Sequence, residues 1–167
     1  MHQINNYPNL PDQYQNLEKH FTATGYVFNT EMTKTLLVYH KKLQKWMPAG
    51  GHVDSGEMPH DAVVREIFEE TGIKANFAQL PNIDVLLNPE SEWEIPRPYY
   101  TMLQLISANS KQSQHYHYDF IYVLQAAEDG LVGMETEVEN LGWFTLNQVL
   151  ELDTFSFTPT ICKAFLK

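Results

Sequence analysis

Residues 51–73, GHVDSGEMPHDAVVREIFEETGI, decide how this chain folds. Pro59 suits a first helical turn, where its missing N–H costs no hydrogen bond, and Asp61 suits the positively polarised N-terminal end. Gly72 is typical of the residue that follows a helix. The stretch therefore predicts a helix over Pro59–Thr71. Residues 41–57, which precede it, are punctuated by glycines and are predicted to form a loop.

Three carboxylates lie on one side of this predicted helix, because Glu66, Glu69 and Glu70 follow the spacing i, i+3 and i+4. Two such charges about 4 Å apart repel by about 1 kcal/mol in water and about 4 kcal/mol near a protein surface. A divalent cation would remove this cost, and carboxylate oxygens are the ligands that Mg²⁺ and Mn²⁺ prefer. The alternative is a solvated acidic face, since charged runs are usually exposed. Arg65 lies four residues before Glu69 and four after Asp61, so it is spaced to hold one of these two carboxylates in place.

The spacing of the charged residues and glycines extends this pattern. From Gly51 the chain has five residues, Glu57, seven residues, and then REIFEETGI over residues 65–73. This resembles the signature of the Nudix hydrolase family, GX5EX7REUXEEXGU with U aliphatic, at every defined position. The resemblance implies an α/β fold with a mixed β-sheet between helices, in one domain over residues 1–167 with an extension at residues 1–20. It also implies metal-dependent hydrolysis of a diphosphate bond in a nucleoside diphosphate linked to another group.

The resemblance further implies roles for the charged side chains of the signature. Glu69 and Glu70 would be ligands of Mg²⁺ or Mn²⁺, and Glu66 would be a further ligand or the catalytic base. Arg65 and Glu57 would orient these ligands.

Two glycines and a set of later glutamates complete the predicted site. The Gly50 carbonyl is an additional candidate ligand, and Gly50 and Gly51 would let the backbone approach metal and phosphate, although Gly51 fits an ordinary turn equally well. Other members of the family draw a further carboxylate from a loop just before an aromatic residue. Trp143 is preceded here by three candidates, of which the last two are preferred: Glu135, Glu137 and Glu139. Each of them also suits a plain surface position.

A second group of chemistry-bearing residues competes with the glutamates. His115, His117 and Asp119 alternate, so on a strand they share one face, and two histidines with a carboxylate can bind Zn²⁺ or Fe²⁺. Their rings are expected to project in parallel about 7 Å apart rather than to converge, which disfavours a shared ion. The alternatives to a metal site are that both histidines bind the substrate or that they simply pack in the fold. Trp46 is expected to pack or to line a substrate pocket.

The rest of the chain predicts strands and helices in alternation. Strands are expected over residues 22–28, 35–40, 99–106, 116–124 and 141–144, and helices over residues 11–20, 146–152 and 160–166. Residues 88–98 hold three prolines and three glutamates and are expected to form an exposed excursion. This order favours a mixed sheet with helices on its faces.

Composition narrows the class of protein. The length of 167 residues is typical of one domain, and 11 Lys and Arg against 21 Asp and Glu give a net charge of −10, which disfavours stable nucleic-acid binding. Cys162 is the only cysteine, so no internal disulfide and no cysteine-based zinc site is expected. No signal peptide and no apolar run of about 20 residues is visible, so a cytoplasmic protein without a membrane partner is expected. The sequence leaves open whether the chain forms a homodimer.

The substrate is expected to be a small nucleotide, and its class is indicated outside the signature. Met47 to Gly51, MPAGG, resembles the approach to the signature in ADP-ribose and sugar-nucleotide hydrolases, and Pro89 lies 16 residues beyond Ile73, where a proline marks some of them. The alternatives are a nucleoside triphosphate pyrophosphatase and a non-catalytic Nudix module that senses a ligand or binds a partner.

Overall fold

A computed structural model describes residues 16–81, 84–110, 112–131 and 138–167. Eight strands and three helices follow one another in these residues: β1 (Lys19–Asn29), β2 (Lys34–His40), β3 (Lys45–Met47), β4 (Ala49–His52), α1 (Pro59–Thr71), β5 (Asn76–Phe77), β6 (Tyr100–Ile106), β7 (His115–Ala126), β8 (Val138–Thr145), α2 (Leu146–Glu151) and α3 (Phe157–Phe165).

The centre of the sheet is the parallel pair β1 and β7, which stay in register from Lys19 opposite Tyr116 to Asn29 opposite Ala126. The other pairings are antiparallel: β1 pairs with β2 and β4, β7 pairs with β5 and β6, and β2 also pairs with β3 and β8. The sheet is therefore mixed, as the sequence predicts.

Helices cover both faces of the sheet. Ala62, Val63 and Ile67 of α1 pack on one face, and Val149 of α2 packs with α3 on the other. Strand β1 bears a glycine where α1 crosses it, because a Cβ on Gly25 would lie 2.5 Å from Ile67 Cδ1. This close approach fixes α1 directly over β1 and β4.

Most of the predicted elements are confirmed with small shifts at their ends. The predicted helix over Pro59–Thr71 has the same bounds in the structure, and the predicted strands correspond to β1, β2, β6, β7 and β8. The two closing helices are α2 and α3, although α3 begins three residues earlier than predicted. Residues 88–98 form neither helix nor strand and are mostly exposed, as expected. Glu94 to Arg97 line a pocket together with Phe77 and Val123.

Two predictions about elements are wrong, and one short strand was not predicted. The predicted helix over residues 11–20 conflicts with β1, which already includes Lys19 and His20, while residues 11–15 lie outside the described residues. The predicted loop over residues 41–57 contains β3 and β4, and the short strand β5 was not predicted. These strands have two to four residues, too few for an alternating pattern to show.

Cys162 is fully buried on α3, where burial raises the pKa of its thiol to about 12.

In the part of the chain that the structure describes, no helix is long and apolar enough to cross a membrane.

Candidate active site

Helix α1 carries its carboxylates onto strand β4. The helix ends at Gly72, which adopts a left-handed conformation with φ of 73° and donates its N–H to the Phe68 carbonyl. Two residues before Gly72, Glu70 is buried with 6% of its surface exposed, and its Oε2 accepts a hydrogen bond of 3.1 Å from the Gly50 N–H. The last turn of the helix is thus tied to the glycine pair of β4.

The carboxylate of Glu66 lies directly over Gly51. A Cβ on Gly51 would lie 2.5 Å from Glu66 Oε1. Any side chain larger than that of glycine would therefore push this carboxylate out of its position. A Cβ on Gly50 would lie 2.5 Å from the Ala23 carbonyl oxygen of β1, so Gly50 is needed for strand pairing. The two neighbouring glycines therefore have separate roles: one makes room for a carboxylate and the other for backbone.

Arg65 joins three carboxylates of the signature. Its Nε and Nη2 donate to the two oxygens of Glu57, both at 3.0 Å, in a bidentate pair. Its Nη1 donates to Glu66 Oε1 at 2.8 Å and to Glu69 Oε2 at 3.0 Å, and Nη2 also donates to the His52 carbonyl. The sequence predicts a single contact of this kind, with Asp61 or Glu69, but the structure shows Arg65 as a hub that joins Glu57, Glu66 and Glu69.

This hub changes the protonation equilibria of its members. The hydrogen bonds from Arg65 lower the pKa of the Glu57 carboxyl, and the hydrogen bonds to Glu57 and then to Glu66 raise the pKa of the Arg65 guanidinium. Both groups stay charged over the whole physiological range, as residues that position carboxylates must.

The donor set fits a hard divalent cation. Glu66 and Glu70 converge on the glycine pair of β4, and Glu69, which is about half exposed, lies one turn along on the same helix face. Carboxylate oxygens with an adjacent backbone carbonyl are the ligands that Mg²⁺ and Mn²⁺ accept. The residues Glu66, Glu69, Glu70 and Gly50 thus lie close together, and their roles as ligands stay a prediction.

Within the described residues, no further predicted ligand is seen at this site. Glu139 is exposed on β8, a strand that pairs with β2 rather than with β4. Glu135 and Glu137 lie outside the described residues. A role for any of them stays a prediction.

An aromatic surface that was not predicted from the sequence is formed by the rings of Phe21, Tyr118 and Phe120. Their centroids lie between 5.1 and 6.0 Å apart, and Phe21 and Tyr118 are 57% and 37% exposed. Phe21 lies two residues before Ala23, which is paired with Gly51, so the aromatic surface faces the same side of the sheet as Glu66. The available signal was the alternation of aromatic and polar residues on β7.

Trp46, the predicted pocket residue, packs edge-to-face against Phe144 and Tyr39 at centroid distances of 4.8 and 5.4 Å. It belongs to the core on the face away from α1. These contacts favour its packing role, and its role as a substrate wall stays a prediction.

The histidines of β7 do not keep the expected spacing. His115 Nε2 lies 3.1 Å from His117 Nε2, so the expected parallel separation of about 7 Å is wrong. Asp119 does not join them, because it accepts hydrogen bonds from Thr22 and Thr24 of β1 instead.

Besides His115, His117 also lies close to two histidines of other strands. The rings of His52 and His20 have centroids 4.9 and 6.0 Å from that of His117. Burial and then the neighbouring His52 lower the pKa of His117 to about 4. The grouping joins three strands and was not predicted.

A family model described as NUDIX domain matches residues 18–161. A Bacillus subtilis protein named for 8-oxo-dGTP diphosphatase activity is 49% identical over 45 residues, which are 27% of this chain and 30% of that protein. A Lactococcus lactis protein named as a DHNTP pyrophosphohydrolase is 26% identical over 132 residues, 78% of this chain and 66% of that protein. The chain thus spans less than two thirds of the length of these relatives.

Among solved structures, a hydrolase of the NUDIX family from Clostridium perfringens matches with a TM-score of 0.73 and 25% identity, over 89% of this chain and 96% of that one. The mixed sheet with helices on both faces is therefore the fold of that protein too. With the complete signature and a family model that covers most of its length, this chain belongs to the NUDIX family.

Proposed function

We propose that this chain is a pyrophosphohydrolase that requires Mg²⁺ or Mn²⁺ and cleaves a phosphoanhydride bond of a small nucleotide. The observation that carries the proposal is the convergence of Glu66 and Glu70 on the glycine pair of β4, with Arg65 bound to Glu57, Glu66 and Glu69. An intact carboxylate set of this kind argues against a non-catalytic module.

Each group of the site has a distinct task in the proposed reaction. Glu66, Glu69 and Glu70 would hold the cation, which supplies charge neutralisation for the diphosphate and activation of the attacking water. Arg65, fixed by Glu57, holds the glutamates in place through its fork of donors. The alternative task for Glu66, in place of a ligand role, is that of the general base that accepts the proton of the attacking water.

The aromatic surface formed by Phe21, Tyr118 and Phe120 offers a binding place for the nucleobase of the substrate. Phe21 and Tyr118 are exposed on the face that bears Glu66, so a nucleobase stacked on them would lie on the side of the carboxylates. Stacking of a base on such rings contributes about 1–3 kcal/mol.

Our first candidate substrate is a nucleoside diphosphate linked to another group, such as ADP-ribose or a sugar nucleotide. The approach MPAGG at residues 47–51 supports it. The second candidate is a nucleoside triphosphate, which the names of the Bacillus subtilis and Lactococcus lactis relatives favour.

The test is a hydrolysis panel of diphosphate conjugates, nucleoside triphosphates and dinucleoside polyphosphates, assayed in Mg²⁺, in Mn²⁺ and in a chelator. We expect turnover only with the cations, and its loss in Glu69→Gln but not in Glu151→Gln, a matched change of an exposed glutamate on α2. A kcat/KM for any triphosphate tenfold above every conjugate would favour the second candidate, a difference of about 1.4 kcal/mol. Binding of nucleotides without turnover on any of them would instead support the non-catalytic module.

A further inference from the structure

Four of the seven histidines of the chain gather at one end of the sheet. His20 belongs to β1, His52 to β4, and His115 and His117 to β7. The strands bring them together because His20 is paired with His117, and His52 is paired with Thr22, two residues beyond His20. Ring centroids of neighbouring members lie between 4.6 and 6.0 Å apart.

These histidines lie on the opposite face of the sheet from the glutamates. Gly51 underlies the Glu66 carboxylate, and successive residues of a strand point to opposite faces, so His52 points away from α1. His20 and His117 share the face of Thr22 and Asp119, whose side chains contact each other there. The cluster is therefore distinct from the carboxylate site.

The geometry points to a metal site: we propose that His20, His52 and His117 bind one transition-metal ion of the Zn²⁺ type. One ring nitrogen from each of the three residues lies within 4.8 Å of the other two. A tetrahedral Zn²⁺ with Zn–N bonds of about 2.0–2.1 Å holds its ligand nitrogens about 3.3 Å apart. Nitrogens as far apart as 4.8 Å would have to move closer to reach that spacing when the ion binds. Imidazole suits Zn²⁺, whereas Mg²⁺ prefers oxygen ligands.

The hydrogen bonds around His20 leave one of its nitrogens to face an ion. His20 Nε2 lies 3.2 Å from a Glu18 carboxylate oxygen, and His20 Nδ1 is buried without a hydrogen-bond partner among the described residues. With Nε2–H donated to Glu18, the lone pair is on Nδ1. A carboxylate behind a ligating imidazole is the arrangement that fixes its tautomer and raises its basicity in zinc sites.

His115 orients His117 in the same way. Its Nδ1 lies 2.8 Å from the Ser113 carbonyl, which only accepts, so Nδ1 carries the proton and Nε2 holds a lone pair. His117 Nε2, 3.1 Å away, then donates to His115, which leaves the lone pair of His117 on Nδ1. His115 is 2% exposed and is a positioning residue, not a ligand.

The site is accessible from solution because His52 is exposed. Three protein ligands leave a fourth tetrahedral position for water or for an anionic ligand, which is the arrangement of an open zinc site. The inference does not depend on the proposed hydrolysis, since the two sites use different residues on different faces.

The experiment measures Zn²⁺ stoichiometry by equilibrium dialysis of the full chain in excess Mg²⁺, together with the visible absorption of the Co²⁺ form. We expect one tightly held Zn²⁺ and the intense bands of tetrahedral Co²⁺. His52→Ala and His20→Ala should each weaken binding at least 10-fold, whereas His40→Ala, a histidine outside the cluster, and Glu70→Gln should retain it.

Folding is checked through the melting temperature, which Zn²⁺ should raise in the parent protein and in Glu70→Gln but not in His52→Ala. Because His52 is exposed, this variant is the one least prone to misfold, and His52→Gln serves as a second one. Unchanged Zn²⁺ affinity in both His52 variants would overturn the proposal. Loss of Zn²⁺ binding in Glu70→Gln would also overturn it, since the ion would then occupy the carboxylate site.

Discussion

At the scale of single residues, the buried Glu70 is a position where a substitution should lower turnover without lowering stability. Gln keeps the shape of Glu70 and an oxygen that accepts the hydrogen bond from Gly50, but it removes the charge that holds a cation. We expect Glu70→Gln to lower turnover about 100-fold or more at saturating Mg²⁺. Its metal-free melting temperature should be unchanged or slightly higher because like-charge repulsion falls. Near-normal turnover of this variant would remove Glu70 from the set of ligands.

Asp119 is a second residue whose charge has a measurable effect, because the ionised carboxylate lowers the free energy of unfolding. Burial raises its pKa above the ordinary 3.8, and hydrogen bonds from Thr24 and Thr22 lower it only in part. Between 3.8 and the raised value the folded state binds more protons than the unfolded state, so the free energy of unfolding falls as pH rises through this window.

An Asp119→Asn variant lacks this titration. We therefore expect the stability of Asp119→Asn relative to the parent to increase from about pH 3 to pH 7, measured by urea unfolding at several pH values. The changed hydrogen bonds to Thr22 and Thr24 add an offset that does not vary with pH. A stability difference that is constant or decreasing over this range would contradict the assignment of the raised pKa.

At the scale of elements, strand β4 and helix α1 meet through two adjacent glycines with different neighbours. In Gly51→Ala the new methyl group would displace the flexible end of Glu66, whereas in Gly50→Ala it would meet the backbone of β1. We expect Gly51→Ala to lower kcat/KM about 10-fold with little change in melting temperature. Gly50→Ala should lower the free energy of unfolding by about 1–3 kcal/mol.

The control for this pair is Gly142→Ala on β8, where a Cβ would make an ordinary contact of 3.4 Å with Phe144. Activity and stability are measured on all three variants by steady-state kinetics and thermal unfolding. If Gly51→Ala lost stability while its remaining folded fraction kept full turnover, Gly51 would serve strand packing rather than the position of Glu66.

The same two elements show how far the sequence alone leads. Helix α1 is predictable because its start, its end and its carboxylate face are all local patterns. Strand β4 is not, because two of its four residues are glycine and its strand partner β1 lies 24 to 30 residues earlier in the chain. The positions that depend on this pairing, Gly51 under Glu66 and His52 beside His20, could not be predicted for the same reason.

At the scale of the whole molecule, the net charge of −10 acts on every anionic substrate that approaches. This repulsion between the protein's summed field and the substrate is screened by salt, with a Debye length of about 10 Å at 0.1 M. We therefore expect kcat/KM to rise with added KCl at constant free Mg²⁺, and to rise more steeply for a nucleoside triphosphate than for a diphosphate conjugate. Glu92→Lys and Glu151→Lys, both at exposed positions, should flatten the rise without entering the carboxylate site. A kcat/KM that falls with salt would mean that a local basic group, not the overall charge, governs how the substrate is captured.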